Sequence, residues 1–145
     1  MSKVLLISAC AWALAQLLKV VTVLIKEKRL DLSYFVTSGG MPSAHSATVC
    51  ALATAVALIQ GLDSVAFGIT AILAIVVMYD AAGVRRAVSR QSIVLNRIVR
   101  EITVKRPRDE VEHDLRELIG HTPFQVIIGG LLGVGIAWVW LAVGG

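Results

Sequence analysis

The sequence predicts an all-α integral membrane protein, a bundle of four transmembrane helices with amphipathic cytoplasmic helices between the third and fourth spans. Three observations carry that prediction. Of the 145 residues, 57% are hydrophobic and the mean hydropathy is +0.78, too apolar for an ordinary soluble domain. Four runs each span, or nearly span, about 30 Å of hydrocarbon at roughly 1.5 Å per helical residue. The basic residues crowd onto one side of those runs. No low-complexity tract, long linker or internal repeat divides the chain, so residues 1–145 read as one membrane domain.

The first span covers about residues 4–25. An N-terminal apolar run can also be a signal peptide, but its length, the late Lys19 and the lack of a small-residue cleavage site argue for a retained helix. The second span, about 42–60, opens on Gly39-Gly40-Met41-Pro42-Ser43-Ala44-His45. Paired glycines allow close backbone approach, and Pro42 suits the first turn of a helix. The third span covers about 65–84 and the fourth about 123–143. Ala47, Ala51 and Ala55 repeat every four residues, and Gly129 and Gly133 form a GxxxG pair, so these small residues predict close helix packing in lipid. Thr122-Pro123-Phe124-Gln125 reads as a capping box, with Thr122 as N-cap and Gln125 three residues on. Cys10 and Cys50 lie at depths of roughly 22 and 12 Å, too far apart for a disulfide. Both read as packing residues.

Charge sets the expected topology. Loops 26–41 and 85–121 carry Lys26, Lys28, Arg29, Arg85, Arg86, Arg90, Arg97, Arg100, Lys105, Arg106, Arg108 and Arg116, whereas the opposite side carries only Lys3. By the positive-inside rule the loops are cytoplasmic and both termini lie outside a cell membrane. The net charge of +4 therefore reads as topology and an anionic-lipid surface, not as nucleic-acid binding. Within residues 87–120, Val88, Leu95, Ile98, Val99 and Ile102 fall at helical spacing. After Pro107, so do Val111, Leu115, Leu118 and Ile119. These predict amphipathic helices on the membrane face, or a cytosolic hairpin against the bundle. His113 stands among acids and reads as surface.

The polar residues in and beside the spans predict a site. Lys19, the Gly39–His45 turn, Asp80 with Arg85 and Arg86, and Gly120-His121-Thr122-Pro123 come from four different spans, all at the cytoplasmic end. Snorkelling explains Lys19 on its own, and an ion pair with a neighbouring Arg explains Asp80. Convergence in one slab points instead to a polar cavity. The free N–H groups at the start of the second helix suit an anion, with His45 one turn in.

Pro42-Ser43-Ala44-His45 resembles the Pro-Ser-Gly-His motif of the type 2 phosphatidic acid phosphatases, relatives of the vanadium-dependent haloperoxidases. Gly39-Gly40-Met41-Pro42-Ser43, Met78-Tyr79-Asp80-Ala81-Ala82-Gly83-Val84-Arg85-Arg86 and Gly120-His121-Thr122-Pro123 together resemble a short, divergent branch of that superfamily. The resemblance implies phosphoryl transfer without metal or cofactor, a chemistry of positioning and charge neutralisation. It implies His121 as nucleophile and His45 as acid–base group, with Asp80 beside them in the catalytic set. Lys19, Arg29, Gly40, Ser43, Arg85 and Arg86 would hold the phosphoryl oxygens. The sequence departs from the motifs in places. Ala44 replaces the Gly, Lys26 stands where the first motif wants Arg-Pro, Arg116 is one residue too close to His121, and Gln125 replaces the orienting Asp. The expectation is a lipid-phosphate phosphatase acting on a phospholipid or isoprenoid phosphomonoester or pyrophosphate. The alternative is a non-catalytic lipid-phosphate binding, sensing or transport protein. Four short spans also suit a homo-oligomer.

Overall fold

Hydroxyl side chains begin three of the helices. In the computed structural model, Ser43 caps the helix Ala44–Gln60 by accepting from the Ser46 N–H at 3.4 Å. Ser64 caps Val65–Ala82 by accepting from the Phe67 N–H at 3.1 Å. At Thr122 the predicted capping box is formed. The Gln125 N–H donates to Thr122 Oγ1 at 3.4 Å, and the Thr122 N–H donates to Gln125 Oε1 at 3.0 Å. Each cap satisfies backbone donors that lipid could not. With Lys3–Glu27 at the N-terminus and Pro123–Gly144 at the C-terminus, the elements in chain order are α1 (Lys3–Glu27), α2 (Ala44–Gln60), α3 (Val65–Ala82) and α4 (Pro123–Gly144).

The structure describes residues 2–27, 40–83 and 122–144, with isolated helical positions at 91, 93–95 and 98, and residues 26 and 27 by backbone only. The amphipathic segment expected over 87–120 therefore lies almost wholly outside the described residues. So do Arg29, Arg85, Arg86 and His121.

Three of the helices, α1, α3 and α4, are long and apolar enough to cross a membrane. At 17 residues, α2 is the short one, about 25 Å long. Its start corrects the sequence reading. Pro42 lies before the cap instead of in the first turn, because the Ser43 hydroxyl closes the helix at Ala44. The third helix likewise stops at Ala82, two residues short of the expected end, where the Gly83 N–H bonds to the Tyr79 carbonyl.

The short helix is central, packing against α1, α3 and α4, while α1 also touches α4. Small residues make this possible. Ile7, Ala11, Ala51, Ala55 and Ala137 form one buried cluster, and Ala15, Ala44 and Ala47 another. The predicted alanine and GxxxG faces meet directly. Gly129 lies against the Ser43 carbonyl and Gly133 against the Ala47 carbonyl, each without room for a Cβ. Across α2, Gly130 meets Cys50 and Met78, whose sulfurs are 3.4 Å apart. These contacts fix the directions. The start of α2 and the start of α4 share one end of the bundle with the C-terminal halves of α1 and α3.

Candidate functional site

Lys19 lies on the buried stripe of α1, four residues after Ala15, eight after Ala11 and twelve after Ile7. Residues four apart line one face of a helix, so the packing that buries the alanines also carries Lys19 inward. It is 1% exposed. Its stem runs past Gly40. A Cβ built on that glycine would meet Lys19 Cγ at 3.0 Å, Cδ at 3.2 Å and Cε at 3.8 Å. Gly40 also holds φ +95, a conformation that side-chain-bearing residues rarely adopt. The glycine thus serves both the turn and the lysine. A buried ammonium within an apolar bundle is costly unless a polar environment receives it, so Lys19 marks the polar end of this fold.

The turn after Gly40 is built into the bundle. Pro42, Ser43 and Ala44 are buried, and the Met41–Pro42 peptide is cis. The Ser43 N–H donates to the Gln125 carbonyl at 3.2 Å, joining the starts of α2 and α4. The Ser43 hydroxyl accepts from the Ser46 N–H and, at 3.1 Å, from the Ser46 hydroxyl. Both serines are 0% exposed. In this arrangement the expected phosphate ligand Ser43 acts as a helix cap.

The structure brings Lys19, Gly40, Ser43 and the Thr122–Gln125 cap to one end of the bundle. Asp80 lies at that end too, half-buried and two residues past Met78 on α3. His45, in the first turn of α2, differs from Ser43 and Lys19 in exposure. It is exposed, and it stands two residues from Ser43 and Ala47, the positions of α2 that face α4. On a helix that offset turns it to another face. Gln125, where the phosphatase motif has an acid, is engaged in its capping box. Arg29, Arg85, Arg86 and His121 lie outside the described residues. Among the described residues, the buried polar side chains Ser8, Gln16 and Ser46 escaped the sequence reading. Gln16, one turn before Lys19, is 6% exposed. A neutral amide inside an apolar run carries no charge signal, but its i, i+3 spacing from Lys19 could have shown it.

Comparison with known proteins agrees with this architecture. The model of the family described as the divergent PAP2 family matches residues 1–136. Over 139 residues the chain is 43% identical to the uncharacterized membrane protein YuiD of Bacillus subtilis (strain 168), a match covering 90% of this chain and 88% of that protein. No solved structure matches. The family match takes in α1, α2, α3, the Lys19–Gly40 contact and the capped first part of α4, and on that ground the chain is a PAP2-like membrane protein belonging to the divergent PAP2 family.

Proposed function

We propose that this protein is a lipid-phosphate phosphatase of the cell membrane, hydrolysing a phosphomonoester or pyrophosphate headgroup at the cytoplasmic leaflet. The observation that carries the reading is the buried Lys19, held against Gly40 at the mouth of a helix start. A cation placed there suits a phosphate drawn from the membrane surface. In the reaction, His121 would attack phosphorus and form a P–N bond as the P–O bond to the lipid breaks. His45 would protonate the leaving oxygen, and water would then cleave the phosphohistidine. Lys19, with Arg29, Arg85 or Arg86, would neutralise the phosphoryl oxygens.

A second reading is non-catalytic phosphate binding. It is favoured by the position of His45 on an exposed face away from α4, and by Gln125 being held in a cap where the motif acid would orient His121. Phosphate release separates the two. Purified full-length chain in detergent micelles is given phosphatidic acid and an isoprenoid diphosphate. The expected result is release that survives chelation, is inhibited by orthovanadate and falls at least about a thousandfold in His121→Ala, the loss typical of a removed nucleophile. Vanadate binding with no release would select the second reading. Loss on chelation with recovery in magnesium would overturn the metal-free mechanism and recast Asp80 as a metal ligand.

The same proposal includes α2 as a fourth, short span, with both long loops cytoplasmic. In a chain with Cys10 and Cys50 replaced by alanine, single cysteines at Leu30 and Lys105 should react only from the cytoplasmic side. A cysteine at Leu62 should react from outside. Labelling of position 105 from outside would reverse the topology and move the site to the other leaflet.

A further inference from the structure

We propose that a groove along the exposed side of α4 receives one long hydrocarbon tail of the substrate, and that a tail seated there sets the headgroup at the polar end of the bundle. The inference rests on the phosphate reading of that end and deepens it, naming the substrate as a lipid phosphate with a long, slim tail.

The groove lies where such a tail would descend. Leu131, Leu132, Gly135, Ile136, Val139 and Trp140 line it, and it holds about 450 Å³. Gly135 opens its floor. A Cβ there would meet no described atom within 4 Å, so the side chains around it stand as walls over bare backbone. Leu131, Gly135 and Val139 are exposed, which leaves the groove open to lipid. Its inner wall belongs to the core. Ile136 packs on the cluster of Ile7, Ala11, Ala51, Ala55 and Ala137, and Leu132 on that of Ala15, Ala44 and Ala47. The Leu132 contact ties the groove to the polar end. Ala44 directly follows the Ser43 cap, and Ala15 lies one turn below Lys19 on the same face of α1. The groove therefore begins about 6 Å beneath the level of Lys19, four residues at roughly 1.5 Å each.

The dimensions and the chemistry agree. From Leu131 to Trp140 the groove follows α4 for about 14 Å. A carbon–carbon bond of about 1.5 Å advances an extended chain by about 1.3 Å. The descent from Lys19 and the groove together, about 20 Å, thus take a tail of about fifteen carbons. The lining is aliphatic and aromatic apart from the glycine, which suits hydrocarbon and offers a polar chain little. Surrounding lipid is as apolar as these walls, so burial alone gains almost nothing. What the groove supplies is position. A tail held along α4 fixes how far its headgroup reaches toward Lys19, and phosphoryl transfer depends on that placement.

The test uses full-length chain in detergent micelles with bound orthovanadate, displaced by octyl phosphate or by hexadecyl phosphate, each expressed as its mole fraction in the micelle. Octyl phosphate, with a tail of about 10 Å, ends just inside the groove, whereas hexadecyl phosphate, at about 20 Å, fills it. Wild type should release vanadate at a lower mole fraction of the hexadecyl than of the octyl compound. Gly135→Leu places a side chain in the groove and should raise the hexadecyl midpoint about fivefold or more, as for overpacking, while the octyl midpoint moves much less. Val139→Phe narrows the groove from its exposed rim and should act in the same direction, which covers the case in which Gly135→Leu does not fold. Gly68→Leu is the control. It lies on α3, a Cβ there also meets nothing within 4 Å, and both midpoints should stay at wild type. Equal midpoints for the two phosphates in wild type, or equal rises for both in Gly135→Leu, would overturn the proposal. So would wild-type dimers in the micelle that Gly135→Leu dissociates without moving either midpoint, since the face would then be a contact between copies. Wild-type chain that neither binds vanadate nor releases phosphate would sink the phosphate reading itself. Vanadate binding without any dependence on tail length would sink only the groove.

Discussion

Gly133→Ala is expected to destabilise the bundle by about 3 kcal/mol or more, the upper range for overpacking a tight core, while Gly135→Ala two residues away leaves stability within about 0.5 kcal/mol. The contrast follows from what each new methyl would meet. At Gly133 it would run into the Ala47 carbonyl, with Ala51 N at 2.9 Å; at Gly135 nothing lies within 4 Å. Backbone atoms cannot swing aside as a side chain can, so α2 and α4 would have to separate. Gly129→Ala should behave like Gly133→Ala, because its methyl would meet the Ser43 carbonyl. It carries a further consequence. The Ser43 N–H bond to Gln125 would stretch, so phosphate-analogue binding should fall together with stability. Unfolding midpoints in micelles, measured on all three variants, decide the matter. If Gly133→Ala proved as neutral as Gly135→Ala, the close α2–α4 approach would be wrong.

This interface was legible in the sequence because its signals are local. Alanines every four residues and a GxxxG pair state which faces meet without any knowledge of the partner. The capping box was equally readable, since Thr122 and Gln125 need only each other. The start of α2 was not. Pro42 and Ser43 both suit a helix start, and the choice fell to Ser43 once its hydroxyl accepted from the Ser46 N–H and its own N–H found the Gln125 carbonyl. The second of these bonds spans 82 residue positions of sequence, so no local pattern contains it.

Rotation about the helix axes is what linear spacing does not state. Two residues on a helix are about 200° apart, and His45 is exposed where Ser43 is buried. The same geometry worked the other way for Lys19. Depth in the membrane left snorkelling open, whereas the phase of Ile7, Ala11 and Ala15 directed Lys19 into the bundle. Hydrophobicity tells how far a residue lies along a span. Only the packing stripe tells which way it faces.

That inward turn makes Lys19 and Gly40 energetically coupled, with a measurable sign. Lys19→Ala should weaken vanadate binding by about 1.5–3 kcal/mol, the value of a charge-assisted hydrogen bond. Lys19→Met should do the same while preserving the stem that lies against Gly40, which separates the loss of charge from the loss of packing. Gly40→Ala combines two costs. The φ of +95 strains any residue with a Cβ by about 1–3 kcal/mol, and the new methyl would stand 3.0 Å from Lys19 Cγ, pushing the stem and its ammonium aside. In the Lys19→Ala background the second cost vanishes and only the strain remains. Gly40→Ala should therefore cost less stability there than in wild type, with a coupling of about 0.5 kcal/mol or more. In Lys19→Met, where the stem persists, the full cost should return. Vanadate affinity adds an independent check, because Gly40→Ala should weaken binding in wild type and have little further effect once Lys19 is gone. Additive costs in all three backgrounds would mean that Gly40 serves the turn alone and that the lysine stem does not depend on it.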